Sequence, residues 1–210
     1  RSWHELIPLF SYIFLNGRCA GCGSAVSWQY PASELLTAVL FILFFGEWAR
    51  NYSNGPGILA YWWIIASLLV AIVLYDLRHK IIPDSFSYSF FFAALLGNLF
   101  FFKTDLSNLF LSFIPALFLF SLWLLSRGRW MGLGDAKLMM GGGALLGFPG
   151  SVFAFLFSFW IGGAVGIFLL LSKSGATLKS ELPFGPFLAL GILLAFFFRD
   201  LLTLSIFIYG

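Results

Sequence analysis

The run ILAYWWIIASLLVAIVLY at residues 58–75 holds no charged residue and is followed at once by DLRHKIIPD at residues 76–84. As a helix it rises by about 27 Å, close to the ~30 Å of a bilayer's hydrocarbon core. Its apolar residues recur at every position rather than on one stripe, the pattern of a helix with no water-facing side. The composition outside this run agrees. Of 210 residues, 60% are hydrophobic and 10% charged, against about a quarter charged in a soluble domain, and 28 are phenylalanine. That many Phe cannot be hidden in one water-solvated core, so the expected fold is all-α and polytopic. The net charge of +3 is small and scattered, which excludes the basic patch of a nucleic-acid binder.

Further runs predict helices at 32–48, 85–102, 106–126, 135–147, 151–172 and 187–208, about seven spans with the first. Turn-like stretches separate them, among them NYSNGPG, SRGRWMGLG and SKSGATLKSELPFGP. Two parts are expected: a cytoplasmic segment at 1–31 holding Cys19 and Cys22, and a transmembrane domain at 32–210. The chain opens on Arg1 without the basic, apolar and small-residue blocks of a signal peptide. If the first segment lies on the side of every second connection, that side gathers nine of the twelve Lys and Arg. Only Arg50, Lys103 and Arg199 fall opposite. The positive-inside rule then places the richer side, with both DLRHKIIPD and GRWMGLGDAK, in the cytoplasm.

Ionisable groups at the edges of spans are functional candidates. Asp105 and Asp200 stand beside Lys103 and Arg199 at the opposite face and read as interfacial charges. Asp84 follows Pro83 and is expected to cap a helix. Asp76 falls at a helix C-terminus, where the dipole disfavours an anion and a salt bridge to Arg78 or Lys80 is the ordinary explanation. Asp135 falls at a helix N-terminus, where capping is the ordinary explanation. Taken together, two carboxylates at one membrane depth on different helices can share a proton and activate water, as in aspartic proteases. The dipoles then predict Asp135 to be the more readily ionised of the two. Gly132 and Gly134 give the backbone room for a close approach or for unusual angles. Gly141, Gly142 and Gly143 suggest a flat face for packing in lipid. Glu34, His4 and His79 carry no assignment from the sequence.

The residues of GLGD at 132–135 match the signature of GxGD intramembrane aspartic proteases, a group that includes presenilins. The ordered set of IPLFSYIFLNGRCAGCG, DLRHKIIPD, GLGDAKL and LPFGPFLALG resembles bacterial type IV prepilin peptidases (leader peptidase/N-methyltransferases) along nearly the whole chain. The resemblance implies a membrane aspartic endopeptidase of the bacterial inner membrane. It would cleave type IV prepilins and pseudopilins after a glycine on the cytoplasmic side, with Asp76 and Asp135 as the catalytic pair. Gly132, Gly134, Lys137, Pro183 and Gly185 lie in the same motifs and are expected to shape the site. Proteolysis needs no cofactor; methylation of the new N-terminus by S-adenosylmethionine is implied by the resemblance alone. Members with this front segment carry two CxxC pairs, a four-thiolate zinc site, whereas Cys19 and Cys22 form one pair here. The resemblance therefore implies a second pair and an eighth, N-terminal spanning helix before Arg1, unless this member lacks them. Two reduced thiols in a turn are the alternative to zinc. A proton- or cation-coupled transporter using the same acids as a relay is the alternative to a protease, although relay acids commonly lie nearer mid-bilayer.

Overall fold

The computed structural model describes residues 10–51, 55–172 and 182–201. Nine α-helices occur among them: α1 (Phe10–Phe14), α2 (Gln29–Asn51), α3 (Pro56–His79), α4 (Asp84–Gly97), α5 (Leu106–Leu111), α6 (Ile114–Ser126), α7 (Leu133–Leu146), α8 (Gly150–Leu171) and α9 (Gly185–Phe197). A π-helical turn, Asn98–Phe102, extends α4. No strand occurs among the described residues; Arg18 and Ala25 make one isolated antiparallel bridge. Five segments are long and apolar enough to cross a membrane: Gln29–Arg50, Pro56–His79, Asp84–Phe102, Leu106–Ser126 and Gly150–Leu171. The all-α, polytopic expectation holds. The two remaining expected spans are shorter: α7 has 14 residues and α9 has 13. The far part of the run predicted at 187–208 lies outside the described residues, as do His4, Lys173 and Lys179.

The chain divides into two compact units, 1–70 and 71–210. In the first, aromatic stacking joins α2 to the start of α3. Phe44 lies 5.3 Å from Trp62 and Phe41 lies 5.2 Å from Trp63, both nearly parallel. Trp63 Nε1 also donates to the Phe41 carbonyl at 3.3 Å. Glu47, buried in α2, pairs with Arg50 at 2.9 Å. Ahead of α2, the short helix α1 lies within the segment for which the sequence predicted no helix. It is followed by a tight turn in which Cys19 N–H donates to Ser24 O and Gly23 N–H donates to Cys19 O, each at 2.9 Å.

In the second unit α7 lies among α4, α6, α8 and α9, and its buried residues include Gly141, Gly142, Gly143 and Ala144. The three glycines do not form one flat face. Successive helical residues point about 100° apart, and each glycine meets a different neighbour. A Cβ on Gly141 would strike the Phe90 ring of α4. One on Gly142 would lie 2.7 Å from Ile192 of α9, and one on Gly143 would lie 2.5 Å from the Ser112 carbonyl. The run of three glycines thus lets three neighbours approach the backbone of α7 within a single turn.

Two other departures have local causes. The run predicted at 106–126 breaks at Ser112 and Phe113, because Pro115 in the first turn of α6 has no N–H to continue the ladder. The π-turn after α4 carries buried Asn98, whose Nδ2 donates to Ala144 O at 3.1 Å and whose Oδ1 accepts from Thr104 N–H at 3.0 Å. On α8, Phe159, Trp160, Ile167 and Phe168 are exposed, as a lipid-facing helix requires.

The enclosure of α7 predicts a graded response to methyl groups. Gly143→Ala meets a backbone carbonyl that cannot swing aside and should destabilise the protein by about 1–3 kcal/mol. Gly163→Ala on α8, where nothing lies within 4 Å, should be near neutral. Thermal unfolding of the two variants in one detergent separates them.

Candidate active site

Asp76 occupies the last turn of α3, which continues to His79 and closes with Lys80 in the left-handed region at φ 54°. It is 4% exposed. At that end of its own helix a carboxylate faces the negative pole. The compensation comes from 109 residues away: the Gly185 N–H donates to Asp76 Oδ2 at 3.0 Å. Gly185 opens α9, with Phe184 as the N-cap and Pro186 in the first turn. Asp76 therefore sits at the positive pole of another helix, a natural anion site. The sequence suggested a pairing with Arg78 or Lys80 and weighed only each acid's own helix. The first turn of α9 offsets the dipole asymmetry expected between the two acids.

Gly185 is fixed by closeness, not by backbone angle. A Cβ there would lie 2.5 Å from Asp76 Oδ2 and 3.2 Å from Ile82. Ile82 also bears on Gly134, whose Cβ would lie 2.8 Å from the Ile82 Cβ. The isoleucine thus touches both glycine positions that flank the acids. Gly132 differs. Its φ of −78° and ψ of 148° are open to any residue and only Gly134 N comes within 4 Å of a Cβ, so no unusual angle is used there.

Asp135 is 8% exposed and lies in the first turn of α7, but it is not the N-cap. Gly132 holds that position without a side-chain cap. Asp135 is the third helical residue, and the Gly132 backbone N–H hydrogen-bonds back to its carboxylate. This is the reach of the acidic partner in a capping box, made without a capping hydroxyl. The same carboxylate lies within electrostatic reach of Asp76. Two buried acids from α3 and α7 are thus brought together beside the first turn of α9.

Asp84 also departs from expectation. The N-cap of α4 is Pro83, and Asp84 instead binds Lys137 Nζ at 2.6 Å. Sequence reasoning passed over this pair, because 53 residues separate its members and only packing of α4 on α7 joins them. Pro183 lies partly buried just before α9. His79 stacks on Tyr75 at 4.4 Å, and Glu34 is exposed on α2.

Cys19 and Cys22 are both free. No group of three or more His, Cys, Asp or Glu able to hold a metal occurs among the described residues. Two thiols do not complete the four-ligand set of a structural zinc site, so the described residues do not fit zinc. The Ser24 hydroxyl, 3.0 Å from Cys22 Sγ, together with the Ser24 backbone and then the Cys19 thiol, holds the Cys22 thiol down at about 7.

The model of the type IV leader peptidase family matches residues 63–167, half of the chain and the part that bears both acids. That of the bacterial peptidase A24 N-terminal domain matches residues 2–48. The chain belongs to the type IV leader peptidase family. Among its relatives is a prepilin leader peptidase/N-methyltransferase of Aeromonas salmonicida (strain A449), 35% identical over 204 residues, which cover 95% of this chain and 68% of that one. Proteins of the same description from Pseudomonas aeruginosa and Bacillus subtilis (strain 168) are 31% and 32% identical, over 97% and 93% of this chain and 69% and 77% of their own. No solved structure matches significantly. Nothing among the family and these relatives supports a transporter.

The lowered Cys22 thiol has a measurable consequence. Its thiolate fraction rises through about pH 7, so alkylation of Cys22 should accelerate over that range. Ser24→Ala should move the midpoint up toward the ordinary thiol value of about 8.5. Rates against pH, read by mass spectrometry of the fragment containing Cys22, check both.

Proposed function

We propose that this chain is a membrane endopeptidase of the leader peptidase type, that Asp76 and Asp135 are its catalytic pair, and that its substrates are prepilins and pseudopilins. It is a multi-pass membrane enzyme that removes the leader peptide of type IV prepilins and methylates the N-terminus released. The observation that carries the catalytic assignment is the meeting of Asp76 and Asp135, both buried, beside the Gly185 N–H.

Two such carboxylates do not both hold a full charge, so the working pair carries one proton. The ionised member takes a proton from a water held between them, and the water oxygen attacks the scissile carbonyl carbon. The protonated member gives its proton to the carbonyl oxygen. As the tetrahedral intermediate collapses, the C–N bond breaks and a proton passes to the leaving amine. Which acid starts with the proton is a property of the pair, and pH–rate data report apparent values for both together. Gly134 and Gly185 shape this site by close approach, Gly132 by supplying its N–H to Asp135, Lys137 from its ion pair with Asp84 on the far face of α7, and Pro183 by its place just ahead of Gly185. Methyl transfer draws on S-adenosylmethionine as the methyl donor. No strand leads into a glycine loop and helix among the described residues, so the methyl-transfer proposal rests on the relatives' descriptions.

The nine-to-three division of Lys and Arg supports an active site facing the cytoplasm of a bacterial inner membrane. On that side, residues 1–31 form a cytoplasmic segment ahead of a transmembrane protease domain. A leader peptide synthesised in the cytoplasm would present its junction with the hydrophobic pilin helix at this depth.

Purified protein incubated with a prepilin in detergent tests the proposal. Asp76→Asn and Asp135→Asn should each lower cleavage by about 10³-fold or more, the scale of losing acid–base catalysis. Gly185→Ala, which pushes on the Asp76 carboxylate without removing it, should cost roughly 10- to 100-fold in kcat. Cleavage retained by both Asn variants would rule out the assigned pair. Transfer of labelled methyl groups to the cleaved product reads the second activity separately.

A further inference from the structure

We propose that Lys137 and Asp84 form a positioning pair that fixes where Asp135 stands, acting through the first turn of α7 rather than on the substrate. Lys137 Nζ lies 2.6 Å from Asp84 Oδ1, and the Lys137 side chain is 18% exposed while that of Asp84 is 64% exposed. The ammonium also stands 5.2 Å from the centroid of the Tyr88 ring. Asp84 and Tyr88 are four residues apart on α4 and so lie on one face. An exposed ion pair contributes little because both side chains stay mobile in water. Here one partner is largely enclosed and is held by a carboxylate and an aromatic face together.

The placement gives the pair its role. Lys137 is two residues beyond Asp135, about 200° round the helix, so the two side chains leave α7 on opposite faces. A tether on the Lys137 face sets the rotation of the first turn and hence the direction of the Asp135 carboxylate. Two further contacts with the same stretch of chain fix the turn along its axis: Gly134 against Ile82, and Gly141 against Phe90. With Lys137 on Asp84, α7 is held at three points between Ile82 and Phe90. The first turn is where helices fray most readily, and Gly132 and Gly134 weaken it further. Without the ion pair, the turn that bears Asp135 relies on packing and on the Gly132 hydrogen bond within the turn itself.

The kinetic arm of the test rests on the peptidase reading; the labelling arm does not. In protein with Cys19 and Cys22 replaced by serine, Asp135→Cys is introduced and its labelling by a water-soluble maleimide is timed. Adding Lys137→Met or Asp84→Asn should speed labelling about tenfold or more as the buried position opens, and both together should do no more than either alone. Non-additivity is the mark of two residues acting as one unit. In protein with Asp135 intact, Lys137→Met and Asp84→Asn should each lower kcat on a prepilin 10- to 100-fold with KM within about twofold, and Asp84→Glu should restore most of it. Unchanged labelling, additive losses, or a rise in KM at constant kcat would overturn the proposal, the last by placing Lys137 on the substrate. If Lys137→Met fails to fold, Asp84→Asn reads the same pair from its exposed partner. If the wild-type chain cleaves no prepilin, the peptidase reading fails while the labelling arm still decides the pair.

Discussion

A carboxylate in the last turn of a buried helix faces carbonyl oxygens and little water, and each raises the cost of its charge. Asp76 stands in that position, and the backbone N–H of Gly185 meets it at 3.0 Å from the first turn of α9. A hydrogen bond to a charged group contributes about 1.5–3 kcal/mol, and the positive end of α9 adds to it. The requirement reaches into the sequence. Position 185 must lack a Cβ, because one would lie 2.5 Å from Asp76 Oδ2. Pro186 can follow because a first-turn residue has no intrahelical use for an N–H. The PFGP stretch is thus the counterpart of Asp76, although 109 residues separate them.

Asp135 reaches the same place by another route. Its helix is too short to be read as an ordinary span and too tightly enclosed to carry side chains on every face. Glycines at 141, 142 and 143 let Phe90, Ile192 and the Ser112 carbonyl approach its backbone. Close helix packing by small residues is the usual means of association in lipid, where apolar surface gains nothing by leaving the solvent. What differs here is that the small residues serve three neighbours. These contacts fix α7 against its neighbours, with Asp135 in its first turn.

Much of this was legible in the sequence, because lipid imposes a strong pattern. The charge-free run at 58–75 and its successors placed the starts of the corresponding helices to within a few residues, and the asymmetry of Lys and Arg gave a candidate orientation. The acids at 76 and 135 stood out because charge is scarce near spans. What the sequence did not show was every contact between distant segments. Asp84 looked like a cap, since a turn proline followed by an acid is the local signature, but its partner Lys137 lies 53 residues on. Asp135 also looked like a cap, yet it stands two residues inside the helix it was expected to begin, with Gly132 at the boundary. The dipole comparison between the two acids was incomplete for the same reason: Asp76 meets the first turn of α9 as well as the end of its own helix. The break at Ser112 has a local cause already present in the sequence, Pro115.

The central claim is that Asp76 and Asp135 face one another across a short gap. Its most direct test is cross-linking in the Asp76→Cys/Asp135→Cys double variant, with Cys19 and Cys22 removed, using a bifunctional thiol reagent only a few ångströms long. The account predicts one intramolecular bridge joining the two positions, found by mass spectrometry after proteolysis and absent from either single variant. Efficient modification of both thiols without a bridge would mean that the acids do not meet, and the assignment of a catalytic pair would have to be abandoned.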